Sequence, residues 1–109
     1  MEIKAVKLDQ INPEIVTDQI INSMADSFKA LGDPTRLQIL LLLFNGERCV
    51  SELAEHMNVT QSAVSHQLRL LRNLDIVRFR KDGREVYYDL ADDHVREIFM
   101  LTLEHIYYD

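Results

Sequence analysis

The stretch from Thr60 to Arg84, TQSAVSHQLRLLRNLDIVRFRKDGR, decides the fold because its hydrophobic period changes half-way along. From Gln61 to Asn73, the residues Ala63, Val64, Leu68 and Leu71 fall on one side of a helix, with Ser62, Ser65, His66, Arg69 and Arg72 largely on the other. Beyond Asn73 the period shortens. Ile76 to Arg80 and Arg84 to Leu90 alternate apolar and polar residues around Lys81-Asp82-Gly83. An Asp-Gly pair between two such runs predicts a hairpin whose primed turn has positive φ at both positions. Just upstream, Asn58-Val59-Thr60 makes a tight break after a short helix predicted over Ser51 to Met57, where Ser51, Glu52 and Glu55 favour a helix start. Two helices joined by a tight turn form a helix-turn-helix, and a basic hairpin directly behind them makes it a winged helix.

Working outward, Asp33-Pro34 reads as an N-cap with proline at the first helical position. The helix it opens runs through Phe44 and is closed by Asn45-Gly46; it is apolar almost all round and marks the centre of the core. Before it, Ile15, Val16, Ile20, Ile21, Met24, Ala25, Phe28 and Leu31 recur at helical spacing, predicting a first helix from about Glu14 to Ala30, stopped by Gly32. A last helix is expected from about Asp92 to Tyr107, with Val95, Ile98, Phe99, Leu101, Leu103 and Ile106 apolar. The expected organisation is a flexible arm over 1–12 and one winged-helix domain over 13–109, mainly α with a small hairpin.

Composition excludes several classes of protein. At 109 residues and a net charge of −6 the chain has room for one small domain, which buries only about 60–70% of its unfolded surface and benefits from subunit association. The longest apolar run, Ile39 to Phe44, is far short of the roughly 20 residues that span a bilayer. Without a signal-peptide pattern and with Cys49 as the sole cysteine, a reducing, cytoplasmic setting and no membrane association are expected. Neither a Gly-rich phosphate loop nor a nucleophile motif is present, so an enzyme is not expected. The acidic total conceals a basic block: residues 61–84 carry six cations and two anions, while 1–60 carry five and nine and 85–109 carry one and seven. The block covers the second helix of the helix-turn-helix and the wing together, which points to duplex DNA, with a helix for the major groove and a wing for flanking phosphates.

Four stretches carry a resemblance over most of the chain: ALGDPTRL from Ala30 to Leu37, CVSELA from Cys49 to Ala54, QSAVSHQLR from Gln61 to Arg69, and GREVYY from Gly83 to Tyr88. Together they resemble the ArsR/SmtB family of metal-sensing winged-helix repressors. The resemblance implies a homodimer through the first and last helices, an operator with two half-sites, and release of DNA when an inducer binds. It places Gln61, Ser62, Ser65 and His66 at the base-facing and phosphate-facing positions of the recognition helix, and Arg80, Lys81 and Arg84 on the wing. Short hydroxyls and an amide on a helix N-terminal turn approach base edges and phosphates closely, and the helix dipole favours the anion.

The last helix supplies Asp92, His94 and His105. The eleven-residue step from His94 to His105 returns His105 to within about 20° of the azimuth of His94, but about 16 Å further along the axis. One helix therefore cannot chelate a single ion with both, whereas two antiparallel copies about a two-fold axis form two equivalent sites. Such nitrogen and oxygen donors suit Zn(II), with Co(II) or Ni(II) as alternatives. The family's interhelical zinc site continues with Glu or His three residues after the second histidine, and here that position is Tyr108. Asp109, on nearly the same face as His105, is taken as the fourth ligand; water or the chain-terminal carboxylate would serve instead. Cys49 matches the family's other metal position, on the third helix, but has no second cysteine to join it. A core thiol is the first reading for it, and a redox or non-metal inducer acting through Cys49 is the alternative function.

Overall fold

The computed structural model describes residues 13–108; the arm expected over 1–12 and the proposed ligand Asp109 lie outside the described residues. A single 3-10 turn, Pro13–Ile15, precedes helix α1 (Asp18–Leu31) and helix α2 (Pro34–Leu43). A two-residue strand β1 (Arg48–Cys49) leads into α3 (Val50–Met57) and α4 (Gln61–Asn73), followed by β2 (Val77–Asp82), β3 (Glu85–Leu90) and α5 (Asp93–Tyr108). The three strands form an antiparallel sheet in the order β1-β3-β2, so β3 is central.

Local chemistry sets the element ends. The Asp33 carboxylate accepts from the Arg36 N–H at 3.0 Å and, with Pro34 at the first position, starts α2 as its sequence predicts. Thr60 caps α4 by accepting from the Ala63 N–H at 3.1 Å, and the helix spans Gln61–Asn73 as expected. Besides one-residue shifts such as α2 ending at Leu43 rather than Phe44 and α5 starting at Asp93 rather than Asp92, three boundaries differ from expectation. Thr17 caps α1 through the Ile20 N–H, so the apolar pattern over Ile15 and Val16 belongs to a separate turn rather than to the helix. The Glu52 carboxylate reaches back to the Cys49 N–H at 3.1 Å, which draws the start of α3 forward to Val50 instead of Ser51. In the hairpin, Asp82 pairs with Glu85, leaving Gly83 and Arg84 as the turn. Only Gly83 has positive φ, at +62°, the pattern of a turn with glycine at its first central position. The strand β1, too short to carry a pattern, was not expected from sequence.

The core is one cluster. Ile39, Leu40 and Leu43 of α2 meet Leu53 of α3 and Val64, Leu68 and Leu71 of α4, all essentially sealed from water, with Val77 and Leu90 of the sheet closing one side. These contacts fix α4 against α2 and α3 and so determine what its outer face presents. By contrast α1 buries only Ala30, and α5 buries no residue.

Candidate functional site

The first turn of α4 is open to solvent. Gln61, Ser62 and His66 are exposed and Ser65 is partly so, on the face opposite Val64 and Leu68. The positive end of the helix dipole makes this turn a favourable place for an anion. Its roll about the core is held by Arg36 of α2, whose Nε donates to Gln67 Oε1 at 2.8 Å. At the other end of α4, Arg72 lies over the Phe79 ring of β2 at 4.6 Å, so this arginine joins the helix to the wing. Lys81 and Arg84 are exposed at and beside the hairpin turn. Arg80 is engaged within the protein. Its Nε lies 2.9 and 3.1 Å from the two oxygens of Glu47, Nη2 also bonds Glu47, and its plane covers Tyr87 at 4.6 Å. The Arg80 guanidinium holds the Glu47 carboxyl below the usual carboxylate range, and burial raises the Tyr87 phenol.

At the start of α5, His94 Nδ1 lies 3.7 Å from Asp92 Oδ1, which also accepts from the Val95 N–H at 3.2 Å. Two donors at that separation are close enough to share one ion, because ligand atoms on roughly 2 Å arms at the tetrahedral angle stand about 3.3 Å apart. His105 is in the last turn of the same helix, about three helical turns away from His94. Among the described residues no three His, Cys, Asp or Glu side chains come together to hold a metal. One chain therefore supplies Asp92 and His94 at one end and His105 at the other. Cys49 is only 7% exposed, with Sγ 3.1 Å from both Ser51 Oγ and Glu52 Oε1. Those bonds and its place before α3 describe a buried thiol within a helix start.

Residues 33–78 match the family described as bacterial regulatory protein, arsR family. The transcriptional repressor SmtB homolog of Synechocystis sp. is 44% identical over 97 residues, covering 89% of this chain and 74% of the relative. The cadmium resistance transcriptional regulatory protein CadC homolog of Staphylococcus aureus is 38% identical over 100 residues, covering 89% and 83%. The chain belongs to the ArsR family. Among solved structures, the homodimeric winged helix-turn-helix DNA-binding domain of a Mycobacterium bovis protein superposes with a TM-score of 0.77 at 29% identity, covering 94% of this chain and 96% of that one. As an ArsR-family member the protein is a DNA-binding transcriptional regulator and not an enzyme. No helix among the described residues is long and apolar enough to cross a membrane.

Within this ArsR-family frame, the sequence-predicted residues fall into three groups. Gln61, Ser62, Ser65 and His66 sit together on the exposed turn of α4, and Lys81 and Arg84 stand on the wing. Asp92 and His94 are neighbours, with His105 apart from them. Arg80 is the exception, with its donors directed to Glu47. Arg36, Gln67 and Glu47 were not singled out by sequence reasoning. Their partners lie 31 and 33 residues away, a separation that leaves no local pattern.

Proposed function

We propose that the protein is a metal-responsive transcriptional repressor that binds operator DNA as a homodimer and releases it on binding Zn(II), or Co(II) or Ni(II), at an intersubunit site. The observation that carries this reading is α5 itself. It has no buried residue, exposes Leu101 at 65% and Ile106 at 69%, and holds Asp92 and His94 at one end with His105 at the other. Exposed apolar surface of that extent in a small domain favours a partner, and an antiparallel second copy of α5, flanked by α1, buries it. That arrangement joins Asp92 and His94 of one subunit to the histidine at the far end of the other, twice by symmetry. The naming of relatives for SmtB and for cadmium resistance supports a metal as the inducer. Asp109 remains the proposed fourth ligand, and 13–109 the proposed winged-helix and dimerisation unit, acting in the cytoplasm.

On the DNA side, Gln61, Ser62, Ser65 and His66 read the major groove and its phosphates, while Lys81 and Arg84 neutralise phosphate beside it. Two recognition helices serve two half-sites only when their spacing matches about one helical turn of DNA, roughly 34 Å. A metal that ties the two α5 helices together fixes the angle between subunits. Operator affinity then falls by the coupling free energy between the two sites, typically about 1–3 kcal/mol. The test is anisotropy of metal-stripped protein on a fluorescent fragment of its own upstream DNA, titrated with Zn(II). Release near one equivalent per subunit, lost in His105→Ala while DNA binding persists, is expected. A complex that survives saturating Zn(II) would overturn the metal reading and turn attention to Cys49.

A further inference from the structure

The wing's cations are divided by the strand pleat. In β2, Val77, Phe79 and Lys81 share one face, and Arg78, Arg80 and Asp82 the other. Val77 is buried in the core and Phe79 lies under Arg72 of α4, so the first face is the one the recognition helix packs against. Lys81 is on that face, and Arg80 is on the face turned away from it. There its guanidinium meets Glu47 with both carboxylate oxygens, stacks on Tyr87 directly across the ladder, and has Asp82 at 3.7 Å.

The path of this contact runs across the whole sheet. Glu47 immediately precedes β1, Arg80 is on β2, and Tyr87 on the central strand β3 lies beneath the pair. Gly46, with φ of +140°, turns the chain out of α2 just before Glu47, a conformation that a side chain would strain. The pair therefore ties the end of a core helix to the strand that leads into the hairpin tip. An exposed ion pair is ordinarily worth little, but a forked guanidinium and carboxylate over an aromatic ring has one defined geometry, and geometry is what a wing needs.

We propose that Arg80 is a positioning residue and not a DNA contact: joined to Glu47 across the central strand, it sets the pitch of the wing so that Lys81 and Arg84 reach phosphate. This rests on the DNA-binding reading above. A direct contact and a strut differ in two measurable ways. A phosphate contact is strengthened when the carboxylate that competes for the guanidinium is removed, whereas a strut fails on loss of either partner. A strut also survives exchange of its two charges, and a contact does not.

The experiment measures anisotropy of a fluorescein-labelled mixed-sequence duplex at one fixed salt concentration for the wild type, R80Q, E47A, R80E and the exchanged E47R/R80E, with the melting temperature of each. R80Q and E47A are each expected to weaken binding about three- to tenfold, although E47A removes a negative charge. R80E is expected to bind worse still, and E47R/R80E to return to within about threefold of the wild type. Tighter or unchanged binding in E47A, no rescue by the exchange in a folded double variant, or unchanged affinity in R80Q would each overturn the proposal. If the double variant fails to fold, the sign of the E47A effect decides alone. A wild type that binds no duplex would overturn the DNA-binding reading itself, and the strut with it.

Discussion

Seven side chains from α2, α3 and α4 are sealed from water, whereas α5, which carries Val95, Ile98, Phe99, Met100, Leu101, Leu103 and Ile106, seals none. Both regions are rich in aliphatic residues, so composition does not separate them; completeness of packing does. The inner helices meet one another through these seven side chains and form a finished core within one chain, while Leu37 and Leu41 of α2 face the outer region. The outer pair leaves a cleft of about 460 Å³ between α1, α2 and α5, bordered by Phe28, Leu41, Ile98 and Ile106. The inner region presents a recognition helix in a fixed attitude. The outer region is half of a surface, as the proposed dimer requires, and is where a signal can change the relation of two subunits without disturbing either core.

The contrast is sharpest in truncation experiments. Leu68→Ala in the inner core is expected to cost about 2–5 kcal/mol in urea unfolding, the range for a leucine whose cavity cannot collapse. Leu101→Ala, at low protein concentration, should cost well under about 1 kcal/mol, because that side chain is exposed in the single subunit. Equal losses would break the distinction. Next in size, Ile106→Asp should raise the dimer dissociation constant about 100-fold in sedimentation equilibrium, since a carboxylate in an apolar seam costs roughly 2–3 kcal/mol. Its urea midpoint as a monomer should hardly move.

The smallest effect is electrostatic and belongs to the inner region. The Cys49 N–H and then the Cys49 thiol hold the Glu52 carboxyl below its ordinary value of 4.5. Its folded value is thus below its unfolded one, so its contribution is full above the unfolded value and is lost as pH falls through the folded value. Glu52→Gln should therefore flatten the fall in melting temperature below about pH 4.5, while leaving a smaller, pH-independent loss at neutrality. An acid limb unchanged in Glu52→Gln would remove this carboxylate from the account of how α3 begins.

What was legible in the sequence was whatever a local period or cap encodes. The bounds of α4 and the start of α2 follow from Thr60, Asp33 and Pro34, each acting within three or four residues. The exposure of the residues proposed to face DNA was legible for the same reason: once α4 is a helix with Leu68 and Leu71 inward, Ser62 and His66 must be outward. The hairpin was placed correctly and its turn shifted by one residue, because the ladder register between Asp82 and Glu85, rather than the Asp-Gly pair, selects the turn. The role of Arg80 was not legible. Its charge suggested phosphate, but its partner comes from a loop 33 residues earlier and meets it only after three strands have assembled. Asp92 and His94 are neighbours in sequence and in the fold, whereas the proposed meeting with His105 of a second copy rests on the spacing along the helix and not on a contact within one chain.

Asp92 has a second task that bears on how an ion would be felt. The same Oδ1 that faces His94 is the acceptor for the Val95 N–H, one of the donors at the head of α5 that has no carbonyl of its own. An ion held through Oδ1 competes with that latch, and one held through the other oxygen leaves it closed. The exchange of the Val95 amide with deuterated solvent therefore reports the mode of coordination: it accelerates on metal addition in the first case and slows in the second. A single backbone hydrogen at the rim of the molecule becomes a gauge of whether occupancy unwinds the helix or tightens it.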